Sequence, residues 1–317
     1  MREVTRHEVS GQYMARALDD IVHRTRQRWH DMLHGTTTPE SLRELRDELL
    51  DHVAARTVEG SVLDEPPRSA LRTAAECSLG MLSVGCFPDG DQEIDFPLIG
   101  EKISTEEAGF HDTSQEAPTA RTWVDAFTTS LVSRLVWDWQ RVIGLLLRDD
   151  YAPAIRDGVP YSKLKSTSDP ADLAAMDALC CYLTQSSGHL PRDWPAVPLC
   201  KPDAGDRAEA ARRLDAAGPL TPDQRLLRVL LEDDRHSFER ALAARLAEHR
   251  ENVGPDPAPR TLLPLDALAL AALAVQAHGW ELRVRSGYLP PELLGSPEAL
   301  QRAADTHRND LGPWSAR

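Results

Sequence analysis

The stretch LPLDALALAALAVQA, residues 263–277, is apolar around almost its whole circumference when it is drawn as a helix. A helix without a polar face is typical of the centre of a large all-α protein, because every side of it must be covered. It is shorter than the roughly 20 apolar residues that a membrane-spanning helix needs, and it contains Pro264, Asp266 and Gln276. Gly279 is the expected end of this helix. The stretch therefore predicts a central, buried helix.

The segment that follows this helix has the period of a β-strand. In WELRVRSGY, residues 280–288, the apolar residues Trp280, Leu282 and Val284 alternate with charged residues. A second short strand or hairpin is predicted at 93–99, where apolar residues also alternate after a Pro-Asp-Gly turn. The segments 93–99 and 280–285 could pair with each other, and the sequence does not decide whether they do.

The segment that precedes the central helix is HSFERALAARLAEHR, residues 236–250. At about 100° per residue, His249 lies on the same side as the apolar residues Phe238 and Leu242. His236 points to nearly the opposite side, so the two histidines cannot hold one metal ion while the helix is intact. We interpret His249 as a core histidine that is hydrogen bonded to a neighbouring helix, and His236 as part of a charged, solvated surface.

The rest of the chain also has mainly helical patterns. The clearest start is at Thr38, a predicted N-cap that is followed by Pro39 and Glu40. Helices are predicted at 8–34, 38–53, 68–84, 122–151, 172–185, 206–217 and 222–252, and the run 122–151 is expected to be the longest. The sequence thus predicts a mostly α protein, either a single large multi-helix bundle or a repeat-like helical array, with one short β hairpin or strand pair. Residues 1–317 are expected to form a single α-helical domain, and 186–206 is the candidate for an internal connection.

The charge and cysteine content limit the classes of partner and compartment. The chain has 50 acidic and 36 basic residues, which gives a formal net charge of −14. Non-specific binding to nucleic acid or to anionic membranes depends on lysine and arginine, so neither is expected. Five cysteines without a CxxC pair argue against a disulfide framework. The opening residues MREVTRHEVSGQYMARALDD contain no apolar signal segment, so we expect a cytoplasmic protein.

The sequence contains no complete motif for catalysis, cofactors or metals. Phosphate-binding GxxxxGK[ST], dinucleotide-binding GxGxxG, zinc-binding HExxH and the GxSxG elbow are all absent. The acidic run DGDQEID, residues 89–95, has Ile94 and Gly100 where a calcium-binding EF-hand loop needs glycine and glutamate. The run YSKLK, residues 161–165, matches short serine-enzyme and dehydrogenase patterns without their context. We therefore predict no catalytic residues, no cofactor and no metal, and a protein that is not an enzyme.

The order of segments from 236 to 294 resembles the immunity protein 49 family of bacterial polymorphic toxin systems. A phenylalanine-containing helix ending in His-Arg is followed by a small-residue apolar helix, then Gly-Trp with a short strand, then Tyr-Leu-Pro. The run LLLRDDY, with Arg148 and Asp149, also resembles the middle region of the family. The positions that carry the C-terminal part of the resemblance are Phe238, His249, Arg250, Gly279, Trp280, Tyr288, Leu289 and Pro290.

The resemblance covers the C-terminal two thirds of the chain. It implies a mostly α-helical, non-enzymatic cytoplasmic protein that binds and neutralises a cognate toxin domain. The resemblance identifies no catalytic residues in this chain. Two alternatives stay open: a helical enzyme with a site built from distant residues, around Arg148, Asp149 and a core histidine, or a helical scaffold for another protein partner. A deep pocket with convergent acidic and basic groups and shifted pKa values would favour the enzyme.

If the chain is an immunity protein, an acidic surface would meet a basic toxin and cover the toxin's active site. Charge complementarity across such an interface speeds association and rejects wrong partners. The candidate partner-binding residues lie in two acidic clusters, and the alternative for each cluster is a solvated acidic loop without a partner. The sequence leaves the oligomeric state open. The candidate residues are Asp89, Asp91, Glu93, Glu232, Asp233 and Asp234.

Overall fold

The computed structural model describes residues 3–35, 37–60, 64–88, 92–104, 117–138, 143–158, 165–188, 194–195, 197–298 and 301. Helices dominate, which confirms the mostly α fold class. A π-helical turn (Leu145–Tyr151) and a 3₁₀ turn (Pro259–Leu262) join the α-helices. The α-helices are α1 (Gly11–Leu18), α2 (Ile21–His34), α3 (Pro39–Glu59), α4 (Pro67–Cys86), α5 (Ala120–Val132), α6 (Leu135–Asp138), α7 (Ala152–Asp157), α8 (Pro170–Cys180), α9 (Ala204–Ala216), α10 (Pro222–Leu230), α11 (Arg235–Glu251), α12 (Leu265–Gln276) and α13 (Pro291–Leu294).

The central helix is α12, and its burial confirms the prediction from its sequence. It packs against α5, α10, α11 and α13, so that neighbours cover it on several sides. Leu268 and Leu273 are fully buried, as are most of the alanines between them. Burying one leucine side chain contributes about 1.5–3 kcal/mol, and the small alanines let the neighbouring helices approach closely. The helix ends before Gly279, whose φ of 70° is a left-handed conformation that glycine adopts without strain.

The described strands form two separate pairs. Strands β2 (Glu93–Phe96) and β3 (Glu101–Ser104) make an antiparallel hairpin with Ile94 opposite Ile103. Strands β1 (Glu3–Val4) and β4 (Arg285–Ser286) pair in parallel. The hairpin predicted near 93–99 is therefore present, but 93–99 and 280–285 do not pair with each other. A local hairpin costs less loop-closure entropy than pairing with a segment far along the chain.

Residues 280–284 do not form the predicted strand, although their apolar residues alternate. The side chain of Trp280 packs against Phe238 and His278, with ring centroids 5.7 and 4.6 Å apart. The backbone N–H of Trp280 donates to Ala274 O of α12, 2.9 Å away. This segment therefore covers α11 and the end of α12 as an irregular chain, and only Arg285–Ser286 enters a sheet.

Three of the predicted helices are interrupted. The run 8–34 breaks after Leu18, because Asp20 caps α2 with a hydrogen bond from His23 N at 3.0 Å. The run 222–252 breaks before Asp234, which caps α11 in the same way. The run 122–151 breaks at Arg134, whose φ of 63° cannot continue a right-handed helix. The longest described helix is instead α3, with 21 residues.

A side-chain hydrogen bond joins α5 to the π-helical turn, although the two are separate segments. The indole Nε1–H of Trp123 on α5 donates to Leu147 O, 2.6 Å away, so the two segments pack side by side. Leu147 O also accepts from Ala152 N, the i to i+5 bond of a π-helix. A single helix over 122–151 would place Trp123 and Leu147 far apart along its axis, so the prediction of one long helix is wrong.

The N-terminal segment is fixed to residues near the other end of the chain. Besides the β1–β4 pairing, His7 Nδ1 lies 2.7 Å from the Tyr288 hydroxyl, and Arg250 donates to Thr5 Oγ1 at 2.9 Å. One cluster of buried apolar residues extends from Ile21 to Leu293. Within the candidate connection 186–206, Leu199 forms a β-bridge with Leu183 just after α8. The single-domain organisation stays a prediction.

Candidate functional site

The predicted acidic cluster near β2 is described only in part. Asp89 and Asp91 lie outside the described residues. Glu93 begins β2, its side chain is exposed, and its Oε1 forms an ion pair with Lys102 Nζ of β3 at 2.8 Å. An exposed pair of this kind contributes little to stability, about 0–1 kcal/mol, so Glu93 can exchange Lys102 for a partner's cation at small cost.

The second cluster forms the turn between α10 and α11. Glu232 is exposed and pairs with Arg228 Nη1, one helical turn earlier, at 3.0 Å. Asp234 is also exposed and is the N-cap of α11, where it accepts hydrogen bonds from His236 N at 3.0 Å and Ser237 Oγ at 2.6 Å. These bonds hold the pKa of Asp234 below its ordinary value, so its charge persists into mildly acidic solution.

Asp233, between these two residues, faces inward and has a different role. Its φ of 61° is a left-handed conformation, which aspartate tolerates better than most residues do. Its carboxylate contacts Lys201 Nζ at 2.6 Å and Arg207 Nη2 at 3.1 Å. Partial burial acts to raise its pKa, but the hydrogen bonds from Lys201 and His278 outweigh that effect and lower it. Asp233 therefore holds the turn against α9 and the end of α12.

His278 extends this contact into the core. Its Nδ1 lies 2.9 Å from Asp233 Oδ1, and its Nε2 lies 2.8 Å from the hydroxyl of Tyr182. Burial lowers the pKa of His278 to about 4, despite the hydrogen bond and charge of Asp233, so the ring is neutral at pH 7. Because a carboxylate only accepts hydrogen bonds, Nδ1 carries the proton and Nε2 accepts from the tyrosine.

Asp233, His278 and Tyr182 are hydrogen bonded in the sequence carboxylate–imidazole–hydroxyl that acid–base catalysts use, but the tyrosine end of this chain is inaccessible to solvent. Tyr182 is fully buried, so a substrate cannot reach its hydroxyl. Burial is also the main cause of a strongly raised pKa of this phenol. The arrangement therefore fixes the α10–α11 turn to the core. No sequence motif indicated it, because the three residues come from distant segments.

A cleft of about 850 Å³ lies at the surface beside the π-helical turn. It lies between that turn, α7, α8 and the loop after α8. It contains Arg148 and Asp149, the two residues that the enzyme alternative names. Sequence reasoning missed the rest, because they are spread over some 70 positions without a shared motif. The lining residues are Leu145, Arg148, Asp149, Asp150, Pro153, Arg156, Asp177, Cys180, Cys181, Gln185, Ser186, Ser187, Gly188, Trp194 and Arg213.

The arginines of this cleft have internal partners. Arg148 Nη1 donates to Cys180 O at 2.8 Å and to Leu183 O, so its cation caps the negative end of α8. Arg156 and Arg213 both pair with Asp177. The described lining includes no histidine. The cleft thus meets the first condition of the enzyme alternative, convergent acids and bases, but offers no core histidine to transfer protons.

The cysteines of the cleft are poor nucleophiles. Burial raises the pKa of the Cys181 thiol, and it raises that of Cys180 more strongly, so neither is a thiolate at pH 7. The thiolate is the reactive form of cysteine. Cys181 Sγ instead donates to Asp177 O, 3.3 Å away, within α8 and the residue after it. This wall of the cleft therefore offers no thiolate at neutral pH.

The described residues were also searched for metal sites and for membrane-spanning helices. Over the ranges given above, no group of three histidine, cysteine, aspartate or glutamate side chains is arranged to hold a metal ion. Over the same ranges, no helix combines the length and the apolarity that crossing a bilayer requires.

The histidines of α11 lie as their helical period predicts. His236 is exposed, whereas His249 is half-buried and its Nε2 lies 2.8 Å from Thr261 O. Its partner belongs to the 3₁₀ turn rather than to a neighbouring α-helix. His249 also contacts the Tyr288 ring edge-on, with centroids 5.3 Å apart. It therefore joins α11 to the segments on either side of α12.

Comparison with known protein families gives a match over most of the chain. A family model with the description Immunity protein 49 matches residues 61–293, which span α4 to α13. The same comparison with curated proteins and with solved structures finds no match. The matched range includes α11, α12, the α10–α11 turn and the cleft, and it leaves out α1 to α3.

Proposed function

Because the chain belongs to the immunity protein 49 family, we propose that it binds and neutralises a cognate toxin domain of a bacterial polymorphic toxin system. The match over residues 61–293 is the observation that carries this proposal, and family membership already implies an immunity role and a protein partner. The described cleft favours binding over catalysis, since its cations are held internally and its thiols are protonated.

The proposed mechanism is occlusion of the toxin's active site. The net charge of −14 would attract a basic toxin and accelerate the encounter, and the attraction would weaken as salt is added. Among the candidate acids, Glu93, Glu232 and Asp234 present exposed carboxylates. Asp233 would act by holding the turn that presents its two neighbours. Asp89 and Asp91 complete the proposed surface on the sequence evidence alone.

The proposal also specifies the compartment in which the protein acts and the ligands that it does not bind. The protein would act in the cytoplasm, without binding nucleic acid or membrane and without an enzymatic activity of its own. Support comes from the excess of acidic residues and from the family's role. The scaffold alternative differs from this proposal only in the identity of the protein partner, so the same experiment separates the two.

Co-expression with the toxin domain encoded beside its gene tests the proposal. We expect growth to be restored and the two proteins to elute together from a sizing column. At low salt, Glu232→Lys should slow association at least threefold, because it reverses an exposed charge on the proposed interface. Growth arrest without a complex would contradict the immunity function against this toxin.

The matched control is Glu40→Lys. Glu40 is also an exposed glutamate paired with a nearby arginine, but it lies on α3, outside the family match. Both variants change the net charge by the same amount, so long-range attraction weakens equally. If Glu40→Lys and Glu232→Lys slow association alike, the α10–α11 turn is not part of the interface.

A further inference from the structure

Residues 3–10, which we call the N-terminal strap, connect β1 to the N-cap of α1. The strap packs against α11 through β1, which pairs with β4 over only two residues. Arg250 of α11 donates to Thr5 Oγ1, 2.9 Å away, and Val4 and Val9 are the partly buried apolar residues of the strap. A segment with so few apolar contacts opens more easily than the core, so its polar contacts decide whether it stays docked.

His7 makes the hydrogen bonds that join the strap to two other segments. The Thr261 hydroxyl donates to Ala258 O at 2.7 Å, so it accepts from His7 Nε2, 2.9 Å away. In the neutral ring, Nδ1 is then an acceptor, and the Tyr288 hydroxyl donates to it at 2.7 Å. The oxygen of the same hydroxyl accepts from the backbone N–H of His7 at 3.0 Å. These contacts fix one neutral tautomer of His7.

A second proton on His7 would disrupt this pattern. Nδ1–H would point at the Tyr288 oxygen, which already accepts from the His7 backbone, and the phenol hydrogen would lose its acceptor. Tyr288 is fully buried, so water cannot take the place of that acceptor. Because an unpaired buried donor is costly, the protonated ring is accommodated better when the strap is released.

The charges around His7 also oppose its protonation. Burial lowers the pKa of His7, and the ring of His249 and the cations of Arg6 and Arg250 lower it further. The ring centroids of His7 and His249 lie 6.0 Å apart. Arg6 has no acidic partner among the described residues, and its Nε and Nη2 atoms are shielded from solvent without a hydrogen-bond partner. A positive charge on His7 would therefore be added to a site that is already cationic.

Further charged groups on these elements are exposed or paired elsewhere. Burial lowers the pKa of His249 despite the opposing effect of Asp223, so both rings are mainly neutral at pH 7. Asp223 is itself paired with Arg245 at 2.8 Å. The further charged groups include Glu3 and Glu8 of the strap, Arg245, Glu248 and Glu251 of α11, Arg260 of the 3₁₀ turn and Arg285 of β4.

We propose that the N-terminal strap is an acid-sensitive device, docked at neutral pH and released when His7 takes up a proton. Because docking lowers the pKa of His7 below the ordinary value of 6.5, the released strap binds the proton more readily. Docking is therefore complete above pH 6.5 and weakens as pH falls. Release uncovers His249, Arg250 and Tyr288, which lie within the family match, whereas the strap lies outside it. The device belongs to the chain itself, so its test requires no toxin.

Hydrogen–deuterium exchange of the full chain, measured by mass spectrometry at pH 7.5, 6 and 5, tests this proposal. Protection of the peptide that contains residues 3–8 is corrected for the intrinsic exchange rate at each pH. We expect it to fall at least about threefold from pH 7.5 to 5. Peptides of α12 should stay protected at pH 5, which shows that the core is folded. A strap that is equally protected at pH 7.5 and 5 would overturn the proposal.

His7→Gln removes the titrating group but keeps a donor for Thr261 and an acceptor for Tyr288. Protection of its strap should vary by less than about twofold over the same pH range. His23→Gln is the matched control, because His23 is an exposed histidine of α2 and its replacement should leave the wild-type pH dependence in place. A fall in protection that persists in His7→Gln would show that another group releases the strap.

Should His7→Gln leave the strap undocked at every pH, Arg6→Gln decides the outcome. Without this neighbouring cation, His7 should take up its proton less reluctantly, so the loss of protection should begin at a different, higher pH than in wild type. An unshifted profile would contradict the role of His7.

Discussion

His278 lies between Asp233 and Tyr182, and both of its ring nitrogens are hydrogen bonded. The carboxylate can only accept, and the buried tyrosine hydroxyl has no access to water, so the neutral ring with a proton on Nδ1 satisfies both neighbours. Protonation would place a second hydrogen on Nε2, where Tyr182 already donates. Protonation of His278 in acid should therefore weaken the contacts that hold the α10–α11 turn to the core.

The first prediction concerns the pH dependence of stability. The folded-state pKa of His278 is about 4, below the ordinary value of 6.5, so the unfolded chain binds the proton more readily. Stability from this residue is therefore complete above pH 6.5 and is lost as pH falls towards 4, by at most about 3 kcal/mol. Urea unfolding at pH 7, 6, 5 and 4 should show a steeper fall for wild type than for His278→Gln.

Glutamine can still donate to Asp233 and accept from Tyr182, so the variant keeps both contacts without a titrating group. Other residues contribute to the slope in both proteins and cancel in the comparison. Parallel curves for the two proteins would show that His278 takes up its proton as easily when folded as when unfolded.

At the scale of elements, the ends of helices decide where the chain turns. Thr38 caps α3 as its sequence predicts, accepting from Ser41 N at 3.0 Å. The other end of α3 is closed by Gly60, whose φ is 84°. Its N–H donates to Arg56 O, and the left-handed conformation directs the chain away from the helix. The helix with the clearest start signal thus also has a glycine stop.

The second prediction is that Gly60→Ala destabilises the protein by about 1 kcal/mol. Among the described residues, apart from its chain neighbours and the backbone of its own helix, no atom lies within 4 Å of the position that a Cβ would occupy, so the expected cost is backbone strain. Gly11→Ala is the matched control, because Gly11 also has open space around it but begins α1 without a positive φ. Alanine at that site should be neutral or slightly stabilising. Equal losses in chemical denaturation would contradict the assignment to strain.

The sequence predicts an element well when the contacts that decide it are local in the chain, and poorly when they join distant residues. The burial of α12 follows from a local run of apolar residues without a polar face, and it is confirmed. The breaks at Asp20, Asp234 and Arg134 were missed, because apolar periodicity continues across them and capping residues also occur inside helices. The separation of α5 from the π-helical turn depends on a bond between Trp123 and Leu147, which local patterns do not contain.

At the scale of the whole molecule, segments distant in sequence make each potential site. The acidic cluster at 232–234 was singled out from its charge, but only the fold shows that these residues form a turn and that Asp233 points inward to Lys201 and His278. The cleft combines residues from 145 to 213, and of these the sequence singled out only Arg148 and Asp149. A cluster of charged residues is visible in the local sequence. The cleft residues come together only because α8 packs against α9 and the π-helical turn, which the local sequence does not show.

The third prediction is that residues 1–317 unfold in one cooperative transition. The apolar cluster is continuous from α2 to α13, so separate melting would expose core surface in both parts. Tryptophan fluorescence, which reports seven positions, and far-ultraviolet circular dichroism should give coincident denaturation curves. Two resolved transitions would instead place a domain boundary in the chain, and 186–206 would be the first segment to examine.

The pairing of β1 with β4 also has a consequence for synthesis on the ribosome. His7 and its partner Tyr288 are 281 positions apart, so the first strand cannot dock until nearly all of the protein has emerged. At about 5–20 residues per second, this interval lasts roughly 15 to 60 seconds. During that time the earliest residues are open to proteases and chaperones. A chain that stops before residue 285 would lack β4, so β1 would stay unpaired and exposed.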